Sequence, residues 1–333
     1  MPRSLAVAVN REKAEETIRL LGGLVDRELK TVQSGEVVYI PVRRVPDQSL
    51  GLRVEAVDFP ARATAASPYM RVVEMLGTAS GVPRKYVRYG DALVFREEIG
   101  EDVARAYMQA TGCRNVYVME GKVRGEERIP SVRRILGPGG ETVHRENGIR
   151  FVFDPERVMF SPGNVNIRVW ASRLDAWGCT VLDMFSGIGY FTLPVAKYGD
   201  PERVIAVDIN PMALDYLRKS AAASGIRTGI ETVARDCREL QGIKADLILM
   251  GNFKSVAYLP AALRNMGGVA RIFMHYLVDT SSLGSHATMV MGRLRSYGFV
   301  GEELHSEVVK SFAPHLWHVA ALFRVRRTTG PLP

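Results

Sequence analysis

The stretch VLDMFSGIGYFTLP, residues 181–194, decides the fold. A short apolar run ends in Asp183, and a turn carrying Gly187 and Gly189 follows before helix-forming residues resume. In open parallel α/β sheets, ligands bind beyond the carboxyl ends of the strands. A strand running into such a loop therefore marks a ligand crevice. Glycines there allow a tight turn and let a ligand approach with no Cβ in the way. Asp183, at the strand end, is placed to orient the loop or the ligand by hydrogen bonds.

The next strand ends in VIAVDINP, and its Asp208 lies 19 residues after Gly189. An acid at about that distance, roughly 20 residues on, accepts the protons of a ribose hydroxyl pair. A dinucleotide would favour a third glycine, as in G-x-G-x-x-G, so that the helix packs closely behind the pyrophosphate. Thr192 holds that place. A nucleoside cofactor without pyrophosphate fits better. The third strand ends in VARDCREL, where Asp236 and Cys237 are placed to meet an adenine edge. Ordered acids at successive strand ends point to S-adenosylmethionine. Phe185, Tyr190 and Ile209, in or beside the two loops, join Asp183, Gly187, Gly189, Asp208, Asp236 and Cys237 as candidate cofactor-binding residues.

Outward from this loop the rhythm is strand, helix, strand, helix. CTVLDMF, RVIAVDI, GIETVAR, ADLILMGN and VARIFMHY read as short buried strands, and PMALDYLRKSAAASG as a helix between two of them. Such alternation predicts a parallel sheet covered on both faces. LWHVAALFRVRR predicts a terminal strand with a basic end. Upstream, residues 67–160 read as an α+β module. SPYMRVVEMLGTASG and EDVARAYMQATG are helical, while DALVF, NVYVME, ETVHRENGIRFVFD and RVMFS are strands, with ENG as a hairpin turn. Residues 1–66 form a small N-terminal unit with a helix over NREKAEETIRLLGG, a strand over EVVYIPV and a linker near residues 60–68. The catalytic domain is expected over residues 161–333.

The 333 residues are 47% hydrophobic and 24% charged, which suits a soluble globular protein of two or three domains. No run approaches the roughly 18 apolar residues of a membrane span, and the N-terminus is charged too early for a signal peptide. A cytoplasmic location, a monomeric state and no membrane partner are expected. Cys113, Cys179 and Cys237 are scattered without metal spacing, so no metal is expected. A formal net charge of +8 fits a polyanionic partner. In the middle module, GVPRKYVRYGD interleaves Arg84, Lys85 and Arg88 with Tyr86 and Tyr89. GKVRGEERIPSVRRI adds Lys122, Arg124, Arg128, Arg133 and Arg134. Such runs suit phosphate contacts.

VLDMFSGIGYFTLPVAKYG, VIAVDINPMALDYL, ARDCREL, LILMGN, MHY and KSFAPHLWHVAALFRV together resemble the wybutosine-synthesis aminocarboxypropyltransferases of tRNA. Their close relatives are the tRNA guanine N1-methyltransferases that act 3′ of the anticodon. The resemblance spans roughly residues 85–327 and, more loosely, the EVVYIPV unit. It implies a Rossmann-like class I S-adenosylmethionine-dependent transferase domain preceded by smaller α+β modules. It also implies a tRNA partner, held by its anticodon loop at base 37. At the fourth strand end the methyltransferase branch carries Asn-Leu-Pro, whereas this chain has LILMGNFKS with Gly251 after Met250. That favours the aminocarboxypropyl branch and adds Gly251 to the cofactor set. The resemblance places Ser161 and Arg168 on the methionine part of the cofactor, and an arginine can grip a carboxylate with two parallel hydrogen bonds. Arg168, His275 and His318 are the candidate catalytic residues, and Tyr190 and Trp317 are candidate stacking groups for the modified base.

All three carbons on the sulfonium are activated by the same positive sulfur, so aim selects the reaction. Presenting the amino-acid arm gives transfer of the 3-amino-3-carboxypropyl group to C7 of 4-demethylwyosine, with methylthioadenosine leaving. Presenting the methyl gives a tRNA methyltransferase at guanine N1 or wyosine C7, the alternative. The family has a glutamate just before the arginine that aligns with Arg168; here Ile167 stands there and accepts no proton. Trp170 also replaces a residue that is often arginine. A carbon nucleophile in an activated ring needs no strong base, which is compatible with Ile167.

Overall fold

In the computed structural model, which describes residues 3–60, 66–121, 125 and 127–328, the chain divides into two compact units, up to Glu74 and from Met75. The first unit is built on an antiparallel sheet. Strands β1 (Arg3–Asn10), β2 (Val32–Ser34), β3 (Val37–Pro41) and β4 (Arg53–Asp58) lie in the order β2-β3-β1-β4. Helix α1 (Ala14–Leu21) ends at Gly22, whose φ of +51° suits glycine. Val7, Leu21, Ile40 and Val42 form the small core of this unit. Helix α2 covers Pro68–Leu76. The expected linker falls largely on residues 61–65, outside the described residues.

The second unit begins with a four-stranded sheet, β5 (Tyr86–Tyr89), β6 (Ala92–Phe95), β7 (Asn115–Met119) and β8 (Val132–Leu136), in sequence order. Helix α3 (Glu101–Thr111) makes the crossover between the parallel pair β6 and β7. The predicted hairpin is present as β9 (Thr142–Glu146) and β10 (Ile149–Phe153), with positive φ at Asn147 (48°) and Gly148 (75°). Two positive angles in a two-residue loop match the twist of the flanking strands.

The expected strand over RVMFS does not form. Its carbonyls are taken by side chains instead. The Tyr190 hydroxyl donates to the Met159 carbonyl, the Tyr89 hydroxyl to that of Phe160 (3.0 Å), and Arg168 to that of Ser161 (3.0 Å). The segment leads into helix α4 (Val165–Ala171).

The catalytic sheet then follows as strands and helices alternate: β11 (Thr180–Asp183), α5 (Thr192–Tyr198), β12 (Arg203–Asp208), α6 (Pro211–Ala223), β13 (Gly229–Ala234), β14 (Ala245–Met250), α7 (Leu259–Asn265), β15 (Met266–Asp279), α8 (His286–Ser296), β16 (Phe299–Ala313) and β17 (Leu316–Arg327). The order across the sheet is β13-β12-β11-β14-β15-β17-β16. Strands β11 to β15 pair in parallel, as expected, but β17 is antiparallel to both β15 and β16. The parallel sheet read from the five strands is thus extended by an antiparallel pair. FVGEELHSEVVKSFA alternates exposed charge with partly buried residues, so β16 lacks the apolar run of a central strand. The order reverses between β11 and β14, which sets the crevice at their carboxyl ends.

One apolar cluster runs from Tyr89, Val94 and Tyr117 through Phe151 and Phe153 to Leu193, Leu214 and Leu217. It joins the middle sheet, the hairpin and α6 into one core. Burial on this scale, at about 25 cal/mol per Å² of apolar surface, holds the covering segment 158–161 against the sheet. No helix among the described residues is long and apolar enough to cross a membrane.

Candidate active site

At the reversal point lies a cavity of about 360 Å³, inside the usual range of roughly 300–1,000 Å³ for small-molecule sites. Ser161, Arg168, Phe185, Gly187, Tyr190, Asp208, Ile209, Asp236, Cys237 and Gly251 all line it. Ten candidates chosen from the sequence thus meet at one place. Asp183 and Gly189 are not among its lining residues.

Asp183 is fully buried and works behind the loop. It accepts the Phe185 N–H (3.1 Å) and the Thr192 hydroxyl (2.7 Å). Thr192, where a dinucleotide loop would have its third glycine, therefore ties the start of α5 to the end of β11. Burial raises the Asp183 carboxyl to about 7 despite these bonds. Gly189 has φ +98°, and a Cβ there would meet the Leu193 side chain at 2.5 Å. Its role is close helix packing.

Asp208 performs two tasks. One oxygen accepts the Gly187 N–H (2.8 Å), and the other accepts the Asn210 N–H (2.9 Å). This half-buried carboxylate lines the cavity and keeps lone pairs beyond those two bonds. Desolvation raises its pKa, with the N–H bonds opposing. Asp236 caps the turn at 237–239 and receives Arg238, whose Nε lies 3.0 Å from both carboxylate oxygens. That hydrogen-bonded arginine holds its pKa down. Asp236 thus offers an adenine amine only the lone pairs that Arg238 leaves. Burial pushes the Cys237 thiol up to about 12, so it lines the wall as a neutral group. At the end of β14, Gly251 lies so close to Phe191 that a Cβ would sit 2.7 Å from its ring.

Arg168 departs from expectation. Its side chain is 2% exposed, and its Nε and one terminal nitrogen already engage both oxygens of Glu146, at 2.5 and 2.7 Å. The fork expected to grip a ligand carboxylate is filled from within the protein. The remaining N–H groups are what Arg168 has for the cavity. Burial alone would raise the Glu146 carboxyl, but hydrogen bonds from Arg168 and His144 and their charges bring it to about 2. Glu146 was missed because it sits in the hairpin, 22 residues from its partner. The ENG turn that places it was legible, but the pairing was not.

The histidines are also corrected. His275 and His318, 1% and 0% exposed, form a buried pair with Nδ1 of the first 2.9 Å from Nε2 of the second. Neither lines the cavity. They lie behind two residues that do, His275 against Phe191 (ring centroids 4.9 Å) and His318 against Phe253 (4.7 Å). Burial lowers both pKa values, with the neighbouring His318 adding to the effect at His275 and Lys310 adding to it at His318, which reaches about 4. Both are neutral at pH 7. Trp317 donates to the Thr280 hydroxyl (3.0 Å) and is not in the cavity wall. Tyr190 is in that wall, with its hydroxyl bound to Met159. Ile167 is 1% exposed within the core beside Val181 and Phe191, and Trp170 packs on Phe273 and His305. A glutamate at 167 would be buried among those apolar groups.

Of the basic residues, Arg84, Lys85 and Arg88 are exposed, and Arg88 donates to the Gly90 carbonyl (2.9 Å). Arg133 is shared by Glu98 and Glu120, and Arg134 is bound to the Pro138 carbonyl. These two are less available to phosphate than their sequence run implied. Lys122 and Arg124 lie outside the described residues. Tyr86 and Tyr89 turn inward, onto Phe95 and Phe153 respectively. Cavity residues not foreseen include Asn164, Phe253 and Lys254; no sequence signal marked them beyond their proximity to SPGN and LMGN.

Residues 142–293 match the TRM5/TYW2 methyltransferase domain, and residues 6–50 match the tRNA methyltransferase 5 N-terminal domain. The tRNA(Phe) (4-demethylwyosine(37)-C(7)) aminocarboxypropyltransferase of Pyrococcus horikoshii is 31% identical over 252 residues, 73% of this chain and 90% of that protein. The chain belongs to the TRM5/TYW2 family. Within that family, the tRNA (guanine(37)-N(1))-methyltransferase Trm5b of Pyrococcus abyssi is 29% identical, over 97% of this chain and 99% of its own. The crystal structure of P. horikoshii TYW2 in complex with MeSAdo superposes with a TM-score of 0.68 at 28% identity, covering 78% of this chain and all of that one. The family therefore agrees with the α/β transferase fold described above.

Proposed function

We propose that this protein transfers the 3-amino-3-carboxypropyl group of S-adenosylmethionine to C7 of 4-demethylwyosine at position 37 of tRNA(Phe), releasing methylthioadenosine. The observation that carries this reading is the crevice itself. Asp208, Asp236, Ser161 and Arg168 line it together, with Gly251 rather than Asn-Leu-Pro at the end of β14. Relatives with the same named activity, at 31% identity over most of the chain, support it.

The donor set fits an adenosyl amino acid. Asp208 offers carboxylate lone pairs to a ribose diol while fixing the loop through Gly187. Asp236 faces the adenine amine, and Cys237 and Phe185 give apolar wall. Ser161 and the unshared N–H groups of Arg168 meet the amino-acid arm, with Glu146 holding the guanidinium in place. When bound, the donor supplies a sulfonium whose attached carbons are open to a nucleophile. The protein contributes position and dry walls. With Ile167 in the core, no proton acceptor stands at the place where the family carries glutamate. That suits a carbon nucleophile better than guanine N1.

The N-terminal unit, matching the tRNA methyltransferase 5 N-terminal domain, and the exposed Arg84, Lys85 and Arg88 are the proposed tRNA-docking elements. The three-part division at residues 66 and 160 is proposed on the same functional ground, with the chain acting as a cytoplasmic monomer. The alternative, methyl transfer at the same nucleoside, draws on the likeness to Trm5b along nearly the whole chain. Incubation with tRNA carrying 4-demethylwyosine, followed by nucleoside mass spectrometry, separates the two. Added aminocarboxypropyl mass is expected, and added methyl mass supports the alternative.

A further inference from the structure

Beside the donor cavity, on the side away from Asp208 and Asp236, stands the end of the β16–β17 hairpin. Phe312 near its tip is 49% exposed. Its ring meets Phe253 edge-on, with centroids 5.0 Å apart, and Phe253 lines the cavity. An aromatic pair thus runs from the cavity wall to the surface.

Two cations flank it. Lys254 follows Phe253 in the loop after β14 and lies in the cavity wall. Lys310 lies two residues before Phe312, opposite His318 in the strand register. Its ammonium sits over the SPGN segment, for a Cβ at Gly163 would lie 2.9 Å from its Nζ. Both side chains are exposed, and among the described residues no carboxylate lies within 4 Å of either ammonium. By contrast, Arg133, Arg218 and Lys219 elsewhere in this unit are each paired with an acid.

Behind Phe253, the ring nitrogens Nε2 of His275 and Nδ1 of His318 have no hydrogen-bond partner. Since one histidine donates to the other, one buried donor and one buried acceptor are left over whichever tautomers are chosen. Leaving such groups unpaired costs stability.

We propose that Phe253, Phe312, Lys254 and Lys310 form the acceptor subsite, in which unpaired tRNA nucleotides lie against the aromatic pair while the two lysines hold the adjoining phosphates. Single-stranded nucleic acid is bound by this combination, a π-face for each base and cations along the backbone. The occupant is nucleic acid because the patch is cationic, aromatic and continuous with a cavity whose other end fits a nucleoside. The proposal rests on the tRNA reading above and adds the residues that take the nucleotide.

The test is equilibrium binding of the full-length protein to two RNAs, an anticodon stem-loop and a fully paired duplex of equal length, with calorimetry of S-adenosylmethionine binding alongside. Phe312→Ala is expected to weaken the stem-loop about tenfold or more, given the loss of a stacking platform, and the duplex by less than twofold. Lys310→Gln is expected to reduce the slope of log affinity against log salt by about 0.7, the value for one phosphate on a single strand. Donor affinity stays as in the parent for both variants, which excludes misfolding as the cause. Equal stem-loop affinity and an unchanged salt slope in both variants overturn the proposal. Equal weakening of stem-loop and duplex by Phe312→Ala does so as well. The two readings fail separately. An unaltered Phe312→Ala with aminocarboxypropyl product from the parent removes the subsite and keeps the activity. A weakened Phe312→Ala with methylated product keeps the subsite and removes the activity.

Discussion

Replacing Glu146 with glutamine removes one charge from the buried pair that positions Arg168. The Glu146 side chain is 10% exposed and that of Arg168 2%. The Glu146 carboxyl sits at about 2 in the fold against an ordinary value of 4.5. A difference of that size corresponds to about 3 kcal/mol at neutral pH. The sign follows from a lowered folded value. The contribution is complete above about pH 4.5 and is lost as the pH falls towards 2. Breaking a buried pair by removing one partner also strands the other charge, at a cost of about 3–5 kcal/mol. For a unit of this size each kcal/mol moves the midpoint by about 2–4 °C, so at about 3–5 kcal/mol Glu146→Gln is expected to lower Tm by about 6–20 °C at pH 7. Scanning calorimetry of the parent and variant from pH 7 down to pH 3 measures it. The gap between them narrows with acid, because the parent loses what the variant already lacks. A Tm within 2 °C of the parent at pH 7, with a gap that does not change with pH, refutes the argument.

Three further outcomes follow from the same geometry. Asp183 has a raised carboxyl, so the parent loses stability as pH rises from about 4 to about 7; Asp183→Asn flattens that part of a pH–stability profile measured by urea unfolding. Gly251→Ala drives a Cβ into the Phe191 ring at 2.7 Å and is expected to cost about 1–3 kcal/mol of stability and to weaken donor binding measured by calorimetry. Asp208→Ala removes the acceptor for Gly187 N–H and for a ribose diol together; donor affinity is expected to fall about 30-fold or more, since hydrogen bonds to a charged group are worth about 1.5–3 kcal/mol each.

Much of the site was legible because it is local. Asp183, Gly187, Gly189 and Asp208 lie at strand ends or in the loop of a repeating βα pattern; Gly187 and Asp208 line the crevice, while Asp183 and Gly189 hold its loop from behind. The hairpin was legible for a similar reason, since Asn147-Gly148 demands positive φ. What stayed hidden depends on contacts between distant segments. The RVMFS segment has a strand's composition, yet Tyr89, Arg168 and Tyr190 capture its carbonyls, and only the fold brings those donors near. Arg168 looked like a ligand-binding residue because its buried partner is 22 positions away in the hairpin. His275 and His318 read as candidate catalytic residues, yet their strands pair in the register that buries them together. Strand β16 was missed because an edge strand need not be apolar, and its sequence carries no continuous apolar run.

The central claim is that the crevice aims the amino-acid arm of S-adenosylmethionine, not its methyl, at the tRNA base. Chromatography of the spent donor after reaction with tRNA bearing 4-demethylwyosine tests it directly. Methylthioadenosine, formed one for one with modified nucleoside, is the predicted product. S-adenosylhomocysteine in its place contradicts the account.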